Sequence, residues 1–280
     1  MKINIGLFIG LILIFWFVKR DSLIYVINWS LPQQEAGLMA GILLGDKAGF
    51  DKDFYEKLTN SGLIHLVVVS GSNVMLLIGG LIEQMAKWLG RKRSILVGLA
   101  VGWWYVYLVG WEIPVLRAML LMSILYFAQL LGRKYNLWRA LSLVVLMMVV
   151  ADVRILASVS FWLSIMAFVA IITIRSNDFM KTIWVSIFIS PILAMVFGKI
   201  SLISPFSNFL VIGIVEWLTV MGALGLFWLT IPMLKYLEIV VELGAKFPVM
   251  EISFNWMMLI GYYLILLYFL ILNKKKISPY

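Results

Sequence analysis

The sequence predicts an all-α, polytopic membrane bundle with about seven or eight spans and discontinuous helices. Three observations carry that expectation. The hydrophobic fraction is 63%, the charged fraction 13% and the mean hydropathy +1.02, far from the roughly 45–50% apolar and roughly 25% charged residues of a soluble domain. Apolar runs close to the roughly 20 residues of a membrane helix recur along the 280-residue chain, which leaves no room for a soluble domain of ordinary size. Lys and Arg gather between those runs, at Gly90-Arg91-Lys92-Arg93, Gly132-Arg133-Lys134 and Lys274-Lys275-Lys276, as cytoplasmic loops do.

Taken in order, Ile3 to Val18 is an apolar run closed by Lys19-Arg20, and no small-residue cleavage pattern follows it. It reads as an uncleaved first anchor. Gln34 to Leu44 is weakly amphipathic, Gly45 to Asp51 is a loop by its Gly and Asp content, and Asp53 to Leu58 is a brief polar helix. Too short and too charged to span, these pieces are expected at the membrane interface. The string from Asn60 to Val74 then places the only histidine, His65, and the polar group Ser70-Gly71-Ser72-Asn73 at the mouth of an apolar run that continues to Leu89. Short hydroxyl and amide side chains here can cap a helix N-terminus, and Gly71 relaxes the backbone. A half-helix starting there points its positive end at whatever passes.

Beyond the first basic loop, Ile95 to Val109 crosses back, and Glu112-Ile113-Pro114 turns the chain with Pro114 at a first helical position. Val115 to Leu131 and Leu141 to Val150 are the next crossings, the latter ending at Asp152-Val153-Arg154. Ile155 to Ile174 carries Ser158, Ser160, Trp162 and Ser164 and is the least lipid-like crossing. Ile183 to Phe197 leads to a second polar break, Ser201-Leu202-Ile203-Ser204-Pro205-Phe206-Ser207-Asn208. Phe209 to Ile231 is long enough to span, Lys235 to Pro248 is ambiguous, and Ile252 to Leu272 is a final span. The parts group as an N-terminal anchor and linker over 1–34, a membrane channel domain over 35–232, and an amphipathic segment, last span and basic tail over 233–280.

Composition excludes much chemistry. The chain has no cysteine and one histidine, so thiolate catalysis, disulfides and a transition-metal cluster are not expected. The net charge of +9 is accounted for by the basic loops before a nucleic-acid patch need be invoked. No cofactor, no metal and no covalent chemistry are expected, and any catalysis would rest on Ser, Asp, Glu, Lys or Arg.

Three residues have two readings each. His65 is a gate or phosphate contact, or a side chain donating to a neighbouring carbonyl; a dyad with Ser70 requires the helix to break between them. Arg117, near the N-terminus of a helix, sits where a cation is disfavoured. It either snorkels to the interface beside Glu112 or lines a path for an anionic substrate. Glu216 lies inside a span, where an acid costs about 2.5–3.5 kcal/mol unless paired or wet. It is a cation or proton site, or the partner of Arg117 or Lys199. Asp152 beside Arg154 is a loop ion pair. The repeat Gly37, Gly41, Gly45 permits close helix packing.

Ala40-Gly41-Ile42-Leu43-Leu44-Gly45-Asp46, Ser61-Gly62-Leu63-Ile64-His65-Leu66 and Val69-Ser70-Gly71-Ser72-Asn73-Val74 together resemble the competence domain of ComEC-type DNA-uptake proteins. Pro114-Val115-Leu116-Arg117-Ala118, Leu131-Gly132-Arg133, Ser160-Phe161-Trp162-Leu163-Ser164 and the Ser201 to Asn208 segment follow in the family's order. The resemblance implies an inner-membrane, multi-pass channel that passes single-stranded DNA to the cytoplasm during natural transformation. It would work among membrane lipids, with a separate DNA receptor, nuclease and cytoplasmic motor as partners, and as an oligomer or alone. Family members often carry an oligonucleotide-binding domain before the channel and a metallo-β-lactamase-like domain after it. Residues 1–34 are too few for the first, and one histidine cannot supply the second. Asn73 stands where the family usually has a second histidine. The expected path comprises His65, Ser70, Gly71, Ser72, Asn73, Arg117, Ser160, Trp162, Ser204, Pro205 and Asn208, with Glu216 as an intramembrane acid. The alternative is an ion- or proton-coupled transporter of a small solute that uses Glu216.

Overall fold

The computed structural model describes residues 19–174, 177–252 and 255–272, apart from the side chains of His65, Asp178 and Phe179. The run Ile3 to Val18 and the basic tail Lys274 to Lys276 lie outside the described residues. The described residues are all-α except for one two-stranded ribbon. Among the described residues three helices are long and apolar enough to cross a membrane, Ile113–Leu130, Met180–Phe197 and Ser204–Ala223. Leu137–Ala151, Val159–Thr173 and Trp256–Leu272 are apolar but shorter.

The chain forms two compact units. The first comprises Met1–Asp51, His65–Met148 and Gly213–Glu238. It holds α1 (Arg20–Ser30), α2 (Gln33–Leu44), the end of α4 (Ile64–Val67), α5 (Gly71–Leu89), α6 (Arg91–Val109), α7 (Ile113–Leu130) and most of α8 (Leu137–Ala151). The second comprises Lys52–Ile64, Val149–Ile212 and Ile239–Tyr280. It holds α3 (Lys52–Asn60), α9 (Val159–Thr173), α10 (Asp178–Phe197), the strands β1 (Lys199–Ser201) and β2 (Val249–Glu251), and α13 (Trp256–Leu272). Two helices change unit partway, α11 (Ser204–Ala223) at Gly213 and α12 (Phe227–Ala245) at Ile239.

In the first unit α5, α6 and α7 pack on one another. Gly90, at φ +76°, is the single residue between α5 and α6 and caps both. Small residues set the approach: a Cβ on Gly98 would overlap Ile82, and one on Gly102 would overlap Met119. At the far end of α6 the carbonyl of Val109 accepts from Arg20 Nη1 at 3.1 Å, a cation at a negative helix end.

Helix α2 departs from the sequence expectation. It was expected at the interface, yet every residue from Glu35 to Leu44 is buried. The reason lies in Gly37 and Gly41, where a Cβ would fall 2.7 Å from the Gly49 carbonyl oxygen and 2.8 Å from the Phe50 ring respectively. Gly37 and Gly41 share one face, and on the opposite face Met39 and Leu43 close on Gly222 of α11. A helix with apolar surroundings all round is a core helix.

In the second unit α9 and α10 form a hairpin, and α13 lies on α10. Ala170, Ile174, Phe188 and Leu266 make its buried cluster. Pro191 inside α10 lacks the N–H that would reach the carbonyl of Ile187. Tyr262 donates to that carbonyl at 3.0 Å and Ser190 Oγ at 3.2 Å, so the freed acceptor is satisfied inside the protein. β1 pairs antiparallel with β2, Ser201 opposite Val249.

Two boundaries also differ from expectation. The segment read as a second polar break is helical from Ser204 onward. The span read as Phe209 to Ile231 instead stops at Ala223 and resumes at Phe227, around Gly225 at φ +71°. Mean apolarity is indifferent to both changes, because α11, the turn and α12 are similarly apolar.

Candidate functional site

The polar string of the first unit is a break in backbone structure. Helix α4 ends at Val67, Val68 to Ser70 have no helical structure, and α5 begins at Gly71. Ser70, extended at φ −114° and ψ 154°, is the N-cap: its Oγ accepts from the Asn73 N–H at 3.3 Å. Ser70 Oγ and Ser72 Oγ lie 2.9 Å apart. An extended stretch in a membrane protein needs its backbone paired. Here the Val69 N–H donates to the Gly41 carbonyl at 3.0 Å; left unpaired and buried it would cost about 1–3 kcal/mol. The glycine repeat of α2 thus has a purpose beyond helix packing. Its bare backbone lets the broken strand lie alongside, with the Val67 carbonyl oxygen 3.3 Å from where a Gly41 Cβ would be.

Arg117 completes the arrangement. Helix α7 starts with Pro114 in its first turn and brings the guanidinium against the start of α5. A Cβ on Gly71 would fall 3.2 Å from Arg117 Nη2 and 2.9 Å from the Pro114 carbonyl oxygen. Arg117 does not snorkel, being only 8% exposed. A fixed cation and the positive end of α5 therefore share one place. Asn73, 3% exposed, has an Nδ2 with no partner among the described residues. Ser72 is exposed beside them. The result is a set of donors and positive charge whose chemical complement is an anion with several acceptor oxygens.

His65 lies in α4, and the helix does break between it and Ser70. Its side chain lies outside the described residues, so the dyad condition is met in the backbone alone. Glu216 falls in the first unit, half-buried, with no ion pair or hydrogen bond to it among the described residues. Lys199, one of its two expected partners, instead faces Glu56 at 3.5 Å. Asp152 and Arg154 form the expected loop pair, with contacts of 2.9 and 3.0 Å. Hydrogen bonding to Arg154 holds the Asp152 carboxyl below the usual carboxylate range.

The remaining expected residues belong to the second unit. Ser204 Oγ donates to the Gly62 carbonyl at 3.4 Å and accepts from Asn208 Nδ2 at 3.2 Å. Gly62, at φ +75°, leaves no room for a Cβ against Ser204. Asn208 is buried, and its Oδ1 has no partner among the described residues. Pro205 is the second residue of α11. Ser160 is exposed, and Trp162 donates to the Leu156 carbonyl at 2.8 Å, a local bond that closes the turn before α9. So Ser70, Gly71, Ser72, Asn73 and Arg117 come together in one unit, Ser204 and Asn208 in the other.

Two participants escaped the sequence reading. Tyr105 donates to the Leu43 carbonyl at 2.5 Å, tying α6 to the end of α2; no local pattern separates it from the neighbouring Trp and Tyr residues. Glu35 is 6% exposed in the first turn of α2. Its signal was available, since an acid just ahead of a glycine repeat sits where a helix N-terminus favours negative charge.

Fold and site together define a helical membrane protein built around a discontinuous helix with an embedded arginine. The chain belongs to the Competence protein family, whose family model matches residues 42–276. It is similar to Recombination protein 2 of Haemophilus influenzae, 26% identical over 136 residues, covering 46% of this chain and 17% of that protein. It is also similar to the uncharacterized protein YcaI of Escherichia coli, 23% identical over 214 residues, covering 68% of this chain and 28% of that protein. The chain thus aligns with less than a third of the length of each relative. No solved structure matches it.

Proposed function

We propose that this chain is a membrane conduit for DNA uptake, passing a single strand inward through the inner membrane by way of the Ser70 to Asn73 break and Arg117. The observation that carries this reading is the buried Arg117 guanidinium set against the start of α5, with the exposed Ser72 at its edge. A single strand presents one phosphate per nucleotide, and a helix N-terminus beside an arginine is a binding place for phosphate. Family membership supports DNA uptake as the process. The chain crosses the membrane seven or eight times, catalyses no covalent step, and depends on other proteins to deliver DNA, remove the second strand and pull. An energy source is needed because a negative cell interior opposes entry of a polyanion.

The test is uptake of labelled DNA into the cytoplasm of a competent host, with the native gene intact, deleted, or carrying Arg117→Ala or Arg117→Lys, and membrane levels of each protein measured. Deletion is expected to abolish uptake. Arg117→Ala is expected to reduce it at least tenfold at equal protein level, and Arg117→Lys to restore part of it, because the charge returns without the planar fork. Normal uptake in the deletion strain overturns the proposal. Glu216, with no ion pair or hydrogen bond among the described residues, then favours the second reading, a cation-coupled solute transporter, tested by ion-dependent uptake in vesicles.

A further inference from the structure

We propose that the first unit holds one acyl chain of an anionic phospholipid in a slot between α1, α5 and α6, with the head group at Lys87. The slot has a volume of about 390 Å³ and is lined by Leu23 on α1, Leu76, Gly80 and Gln84 on α5, and Val101 and Leu108 on α6, among others. Along α5 the lining runs from Leu76 to Gln84, roughly 12 Å at about 1.5 Å per residue. The wall is almost wholly hydrocarbon. Tyr105, which also lines it, has its hydroxyl committed to the Leu43 carbonyl. An apolar cleft of this kind favours hydrocarbon over water.

Polarity enters at one end. Gln84 Oε1 accepts from Lys87 Nζ at 3.1 Å, so an exposed ammonium stands at the mouth of the slot. Beyond it follow Arg91, held by Glu83 at 2.7 Å, and the exposed Lys92 and Arg93. A hydrocarbon slot leading to a cationic rim fits an amphiphile with an alkyl tail and a negative head. In a membrane protein that is an anionic phospholipid, whose head group basic clusters at helix ends attract. This assignment is independent of the DNA path.

Gly80 gives a clean test. Gly80 lines the slot and a Cβ there meets nothing within 4 Å, so a leucine at this position is expected to occupy slot space. Purified protein in detergent is titrated with dioleoylphosphatidylglycerol or dioleoylphosphatidylcholine, and the thermal midpoint is followed by tryptophan fluorescence. Phosphatidylglycerol is expected to raise the midpoint saturably, and phosphatidylcholine to raise it by less than half as much. Gly80→Leu is expected to unfold normally without lipid and to lose most of the lipid-induced rise. Lys87→Gln is expected to keep the rise and lose the preference for the anionic lipid. Equal effects of the two lipids on the native protein, or a full rise in Gly80→Leu, overturn the assignment. Should Gly80→Leu not fold, Val101→Phe blocks the slot from the facing wall and is read in the same way.

Discussion

Arg117 shows how burial turns a residue with two readings into one with a position. A cation close to a helix N-terminus is unfavourable, and on a free helix its long stem would carry the charge to the surface. In the fold it is enclosed against Gly71, so its charge acts where the α5 N-terminus also acts. Gly71→Ala is expected to push α5 from α7, because the new methyl group meets backbone at Pro114. Overpacking of that kind costs about 1–3 kcal/mol, and the thermal midpoint of the purified protein measures it. Asp152 makes the contrasting case. Its carboxyl is held below the usual range by Arg154, so the pair contributes above the ordinary carboxylate pKa and fades as pH falls through the depressed value. The pair is exposed and surface pairs contribute little. Asp152→Asn is expected to shift the midpoint by no more than a degree or two at pH 7, with the difference vanishing in strong acid.

At the scale of elements, two glycines separate close packing from open surface. Gly37→Ala brings a Cβ to 2.7 Å from the Gly49 carbonyl oxygen, whereas Gly213→Ala meets nothing within 4 Å. The first is expected to lower the midpoint by several degrees. The second is expected to leave it unchanged or raise it, since alanine outperforms glycine inside a helix by about 0.5–1 kcal/mol. The start of α5 was legible in the sequence because capping is local chemistry: Ser70 needs only its own helix. The start of α7 at Pro114 was legible for the same reason. The burial of α2 was not legible, because its composition states that helices can approach but not how many do. The helical start at Ser204 was missed because Ser-Pro followed by Ser-Asn suits a loop as well as a first turn; its contact with Gly62, 142 residues away, is invisible to any local pattern.

For the whole molecule, charge and apolarity fixed the class early and left the partition of the chain unstated. The two compact units are assembled from separated stretches, so no composition change along the chain marks them. What joins sequence to proposed function is the break at Val68 to Ser70, held by α2 on one side and facing Arg117 on the other. The most direct test replaces Ser72 with a photo-crosslinking amino acid and irradiates cells while labelled DNA is being taken up, with exposed Leu96 on α6 replaced in parallel. The proposed conduit requires labelled strand attached at position 72 and little at position 96. Equal or absent labelling at position 72, in protein that still supports uptake, contradicts a DNA path at this break.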